Sequence, residues 1–271
     1  APPAPAPPAP PAGSAPVGRE VGLAQPFTWL ARGLADLRRC PAPGLVHGIG
    51  AALFGLVVFR LAHEHFWILA GAFSGFLLVA PIVATGLYAI SRALHHRERL
   101  SFGAAMHEAW SVWRGHDPRL VHFGVLLAFA GTGWVVTSAS LVTGFAPLPV
   151  ERPLDFVRHV VLHPGSWLFE IWLVFGALLA APVFASSVVA IPLLLERRVS
   201  VLQAVLTSWR PVLASPAPLA LWAALLLALT LAGMLTLLVG LVVIVPWLGH
   251  ASWHAYRDLA APAPAPATAG A

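Results

Sequence analysis

His250 and His254 stand four residues apart, so on a helix they share one face. Two histidines placed in this way can hold a divalent metal ion or serve as haem ligands. His47 falls one turn inside the first apolar segment, at the depth expected for His250, and His122 is placed alike in the third. His47, His250 and His254 together would suit a haem- or metal-binding accessory of a respiratory oxidase. A plainer reading serves as well. His47 and His122 occupy the position that Trp222 takes in the fifth segment, where a ring anchors a helix at the membrane interface. His250 occupies the position of Thr85 and Ser186, where small polar groups join helices. Thr85, Ser186 and His250 at one depth could also form the site of a small-solute transporter or channel. A third group, His63, Glu64 and His65 with His159, His163 and Glu170, has the donors for Zn²⁺ or Cu²⁺ at a surface, although solvated loop residues have the same composition. Glu170 also suits the first turn of a helix.

Much chemistry is missing. All 16 basic residues are Arg, so lysine Schiff bases and P-loops are excluded. One cysteine, Cys40, excludes an internal disulfide and a Cys-based metal cluster. G-x-S-x-G, H-E-x-x-H and Walker sequences do not occur, and no paired carboxylates fall inside an apolar segment. Hydrolysis and ion-driven proton relays lack their usual parts. The leading expectation is a non-enzymatic structural or accessory protein without a cofactor, with a metal or haem protein and a transporter as the alternatives.

The elements that position these residues are membrane helices. Of 271 residues, 58% are hydrophobic and 10% charged, against about 25% charged in soluble domains. Five apolar regions, roughly 44–62, 66–90, 120–145, 167–195 and 217–256, reach the length of about 20 residues that a span needs. The last runs 40 residues without Asp, Glu, Arg or Lys. As one helix it would measure about 60 Å, about twice a bilayer core, so it must turn between Gly233 and Gly240. The expectation is an all-α polytopic bundle of six transmembrane helices over residues 26–260. Ala/Pro-rich tails, read as disordered, occupy 1–25 and 261–271, the first lacking the apolar run of a signal peptide.

With the N-terminus inside, thirteen Arg fall on the inner side and only Arg60, Arg152 and Arg158 on the outer. That places both termini in the cytoplasm. Arg in place of Lys, with abundant Ala, Pro and Gly, points to a GC-rich bacterial genome and so to the inner membrane. The basic residues border apolar spans, so membrane lipids rather than nucleic acid are the expected partner, beside a membrane-protein partner or a second copy.

Segments 27–39, 100–114 and 199–213 are amphipathic and are expected to lie in the interface as connectors. Each precedes a Pro and a long apolar helix, with Pro43, Pro118 and Pro218 as the expected starts. The second helix of each pair contains Pro81, Pro182 or Pro246. Ala80-Pro81-Ile82-Val83-Ala84-Thr85 aligns with Ala181-Pro182-Val183-Phe184-Ala185-Ser186, and more loosely with Val245-Pro246-Trp247-Leu248-Gly249-His250. The chain therefore reads as three repeated hairpins of one orientation, related about the membrane normal. The Pro-acid-base signature of three-hairpin mitochondrial carriers is absent.

The stretch Pro246-Trp247-Leu248-Gly249-His250-Ala251-Ser252-Trp253-His254-Ala255-Tyr256-Arg257-Asp258-Leu259 resembles the ending of a bacterial integral membrane family, domain of unknown function 2189. Gly75-Phe76-Leu77-Leu78-Val79-Ala80-Pro81 and Gly86-Leu87-Tyr88 resemble it too. The resemblance extends over about residues 27–260. It implies a six-helix inner-membrane protein and no particular activity.

Overall fold

The computed structural model describes residues 20–114 and 117–260. Residues 1–19 and 261–271 of the expected tails lie outside the described residues, but the last part of the first does not belong to a tail: the Val21 N–H donates to Ser215 at 3.0 Å and Gln25 begins the first helix. Among the described residues every regular element is helical.

The chain runs through three successive sets of helices. In the first, α1 (Gln25–Arg39) leads into α2 (Pro41–Ala62), which returns as α3 (Phe66–Val83) and α4 (Thr85–His96). In the second, α5 (Phe102–Arg114) leads into α6 (Pro118–Phe145). After a far-end loop containing α7 (Pro153–Phe156) and a π-helical turn at Val157–Val161, the chain returns as α8 (Leu168–Ser187) and α9 (Ala190–Glu196). The third set is α10 (Val201–Ala214), α11 (Pro216–Leu235) and α12 (Leu241–Leu259). Each long outgoing helix opens on Pro, which needs no N–H in the first turn. Two of these starts, Pro41 and Pro216, come two residues before the expected Pro43 and Pro218.

Among the described residues, four helices are long and apolar enough to cross a membrane: Pro41–Ala62, Pro118–Phe145, Leu168–Glu196 and Pro216–Leu235. Phe66–Phe76 is a shorter apolar stretch. The expected second span is divided at Ala84 into α3 and α4. The expected sixth, α12, carries His250, His254, Arg257 and Asp258 in its second half. Leu53 and Phe54 on α2, Phe129 on α6 and Leu178 on α8 point outward. Such apolar faces suit lipid, not water.

The tight turn falls where the apolar length requires it. Residues 236–240 link α11 to α12, with Leu237 and Leu238 at φ 54° and 69°. The Thr236 hydroxyl donates to the Gly233 carbonyl and accepts from the Gly240 N–H, both at 2.8 Å. A Cβ on Gly240 would come within 2.6 Å of that hydroxyl oxygen, so glycine is needed there.

The main core sits at the Arg-rich end. α5 packs on α4 and α10 on α8 and α9, the return helices of the preceding sets, and α1 of the first set packs on α12 of the last. The second half of α12 is the centre of this end, with Gly249, His250, Ala251, Trp253, Ala255, Tyr256 and Leu259 buried. Small residues set the crossings, as in membrane helix pairs. A Cβ on Gly33 of α1 would meet the Ala251 nitrogen at 2.5 Å, and one on Gly48 of α2 would meet the Val242 carbonyl oxygen at 2.0 Å.

The connectors are more than interface helices. The stripe of α1 that holds Trp29, Leu30 and Leu37 is buried against protein. α5 and α10 instead bury small residues, Ala105 and Ala109 or Ala204 and Ser208, and expose Trp110, Leu202 and Leu206. Trp253 and Tyr256 are buried, and the Tyr256 hydroxyl donates to Glu196 at 2.5 Å. The cover supplied by α1, α4 and α9 is the reason. A second, smaller core at the far end gathers Val142, Val150, Val160 and Leu168, with Phe156 stacked on Phe66 and edge-on to Trp172.

Candidate functional site

The buried polar centre lies where α1, α4 and α12 meet. α1 places Trp29, Gly33 and Asp36 along one stripe, and α12 places His250 and His254 one turn apart. The Ser91 hydroxyl on α4 donates to Asp36 Oδ2 at 2.9 Å and lies 2.7 Å from His250 Nδ1. His254 Nε2 donates to the same carboxylate oxygen at 2.8 Å. Arg39 adds a looser ion pair to Asp36 at 3.7 Å.

Counting protons fixes the His250 ring. A serine hydroxyl has one proton, and Ser91 gives it to Asp36. The Nδ1–H of His250 must then donate to Ser91 Oγ, so in the neutral ring Nε2 is the bare nitrogen. Among the described residues, that nitrogen is buried without a hydrogen-bond partner. α2 passes the ring at Gly44, where a Cβ would come within 3.7 Å of Nε2.

Burial works against the ionised form of Asp36. The His254 ring and the Ser91 hydroxyl outweigh it, so the carboxyl stays below the ordinary carboxylate range. A second carboxylate joins the same two helices nearer their ends. Asp258 Oδ2 accepts from Gln25 Nε2 at 2.6 Å and from Trp29 Nε1 at 2.9 Å, and pairs with Arg32 at 3.1 Å.

The structure thus brings together His250 and His254, but through Asp36 and Ser91 rather than directly. His47 spends Nδ1 on the Pro43 carbonyl at 2.8 Å, and its Nε2 sits close against Gly86. His122, expected at a matching depth, is exposed on α6, whereas Trp222 is buried edge-on to Trp29. Thr85 is buried and donates to the Ile82 carbonyl at 2.6 Å, at the break between α3 and α4. Ser186 accepts from Trp209 Nε1 at 3.0 Å. At the neighbouring break between α8 and α9, the Val189 N–H donates to Ser208 at 3.0 Å. At the far end, Glu64 pairs with Arg152 at 3.1 Å and with His63 at 3.4 Å, while His159 bonds the Pro149 carbonyl at 3.0 Å. Among the described residues, no three His, Cys, Asp or Glu side chains are grouped to hold a metal ion.

Sequence reasoning missed Asp36 and Ser91. Asp36 left a signal: it is the one acid of its amphipathic helix and falls seven residues after Trp29, on the apolar stripe. An acid there requires a buried partner. Ser91 left no comparable trace.

Residues 68–196 match the family described as "Predicted integral membrane protein (DUF2189)". The match runs from α3 through α9, so it includes Thr85, Ser91 and Ser186. It is narrower than the 27–260 over which the resemblance extends, and the 246–259 ending lies outside it. The family description names no activity. No curated protein and no solved structure matches the chain.

Proposed function

We propose that the chain is a non-enzymatic, multi-pass protein of the bacterial inner membrane with a structural or accessory role. It crosses six times, as three hairpin units, with both termini in the cytoplasm beside the Arg-rich end. The observation that carries the reading is how the interior polar groups are spent. Thr85, Ser186 and His250 each bond within the bundle, and Asp36 ties α1 to α4 and α12. Groups used in this way hold helices together. The lipid-facing apolar sides of α2, α6 and α8 leave room for a membrane-protein partner or a second copy.

Extraction in native-lipid particles followed by native mass measurement tests this role. The expected result is a stoichiometric assembly above the mass of one chain. A lone chain that moves a solute across liposomes, and loses that flux on a single substitution, would overturn it.

A second reading, a small-solute transporter, is favoured by one observation, the bare Nε2 of His250. It requires liposome flux that Thr85→Ala, Ser186→Ala and His250→Gln each abolish without loss of fold.

A further inference from the structure

A cavity of about 350 Å³ opens at the Arg-rich end between α4, α5, α9 and the start of α6. Four arginines line it, Arg92, Arg119, Arg197 and Arg198, with two acids, Asp117 and Glu196. The acids are already committed. Asp117 pairs with Arg119, and Glu196 accepts the Tyr256 hydroxyl at 2.5 Å. Arg119 is committed as well, because it also donates to the carbonyls of Leu194, Arg197 and Val199 at 3.2, 2.9 and 2.8 Å. It serves as the strut that joins the start of α6 to the end of α9.

Arg92, Arg197 and Arg198 are different. Among the described residues, no hydrogen bond or ion pair reaches their guanidinium groups. Arg198 lies near enough to Asp117 to help hold its carboxyl low, but four guanidiniums against two carboxylates leave the cavity net positive, a charge that a bound anion would balance. Their planar donors match phosphate oxygens in pairs. The cavity wall also includes Leu120, Leu195 and Trp253, so polar and apolar surfaces meet there. Beside it, α5 exposes Phe102, Trp110 and Trp113, which suit the headgroup level of a bilayer.

We propose that this cavity binds a phosphate group through Arg92, Arg197 and Arg198. The phosphate comes either from an anionic phospholipid headgroup or from a soluble phosphate ester, and the chemistry of the contact is the same. Arg119 and Asp117 build the wall and do not bind.

The test uses the full chain in mixed micelles and a triple variant, Arg92→Gln with Arg197→Gln and Arg198→Gln. One arm adds phosphatidylglycerol against phosphatidylcholine, and the other adds inorganic phosphate; thermal unfolding is the readout in both. The wild type is expected to be stabilised by at least one anionic probe. The triple variant should bind that probe about tenfold more weakly or worse, as the loss of charge-assisted hydrogen bonds implies. Stabilisation by phosphatidylglycerol alone assigns the lipid, and stabilisation by inorganic phosphate assigns the soluble source. An Arg38→Gln control, outside the cavity, should respond as wild type. If neither probe stabilises the wild type, or if the triple variant responds as the wild type does, the site is not there. An unchanged unfolding temperature of the triple variant without probe separates lost binding from lost fold.

Discussion

Asp36→Ala removes the acceptor on which the polar centre turns. Two hydrogen bonds to a carboxylate are lost, from Ser91 at 2.9 Å and His254 at 2.8 Å, together with the looser Arg39 pair. Hydrogen bonds to a charged group contribute about 1.5–3 kcal/mol each. Removing one partner of a buried ion pair costs about 3–5 kcal/mol. The side chains of His254 and Arg39 keep 20% and 41% of their exposure, so water can solvate part of what they lose. The lower end, about 3 kcal/mol, is therefore the expected cost. For a chain of this size that is a fall of about 6–12 °C in the unfolding temperature. Intrinsic tryptophan fluorescence during a thermal ramp in one detergent measures it. Glu151→Ala, on the exposed far-end loop, serves as the control. The cycle completed with His254→Ala should show a coupling of about 1 kcal/mol or more. A fall below about 2 °C, or additive single effects, would refute the reasoning.

Three other outcomes follow from the same geometry. Asp36 is held below its unfolded value, so its contribution is complete above that value and is lost as pH falls through the folded one. The stability gap between wild type and Asp36→Asn should close as pH falls below about pH 4; a gap undiminished at about pH 3 would contradict it. Gly33→Val places a branched side chain where a Cβ already meets the Ala251 backbone at 2.5 Å, so α1 should shift off α12 at a cost of about 1–3 kcal/mol, read as a lowered unfolding temperature. Ser208→Ala leaves the Val189 N–H unpaired in a buried helix break, at about 1–3 kcal/mol, and hydrogen exchange around residue 189 should quicken; unchanged exchange counts against the bond.

Features set by local length and pattern were legible in the sequence. The 40-residue apolar run demanded its turn between Gly233 and Gly240, and the structure turns at 236–240. Ser200 and Gln203 form a capping box at the start of α10, where the amphipathic pattern begins. Features set by distant packing were not. The packing of α5 on α4, and of α10 on α8 and α9, beside the breaks at Ala84 and Val188–Val189 joins elements that no local pattern pairs. His250 and His254 were found by their spacing, but Asp36 lies more than 200 residues away, and nothing local joins it to them. Trp253 and Tyr256 are likewise covered by helices distant in sequence, α1, α4 and α9.

Cysteine accessibility tests the crossing pattern most directly. Native Cys40 is buried, so Cys40→Ala supplies the background. Leu237→Cys sits on the exposed turn between α11 and α12, and Arg257→Cys sits near the end of α12. In intact bacterial cells, a membrane-impermeant maleimide should label the cysteine at 237 and reach the one at 257 only after the inner membrane is opened. Labelling of both in intact cells, or of neither until the membrane is opened, would mean that α12 does not cross.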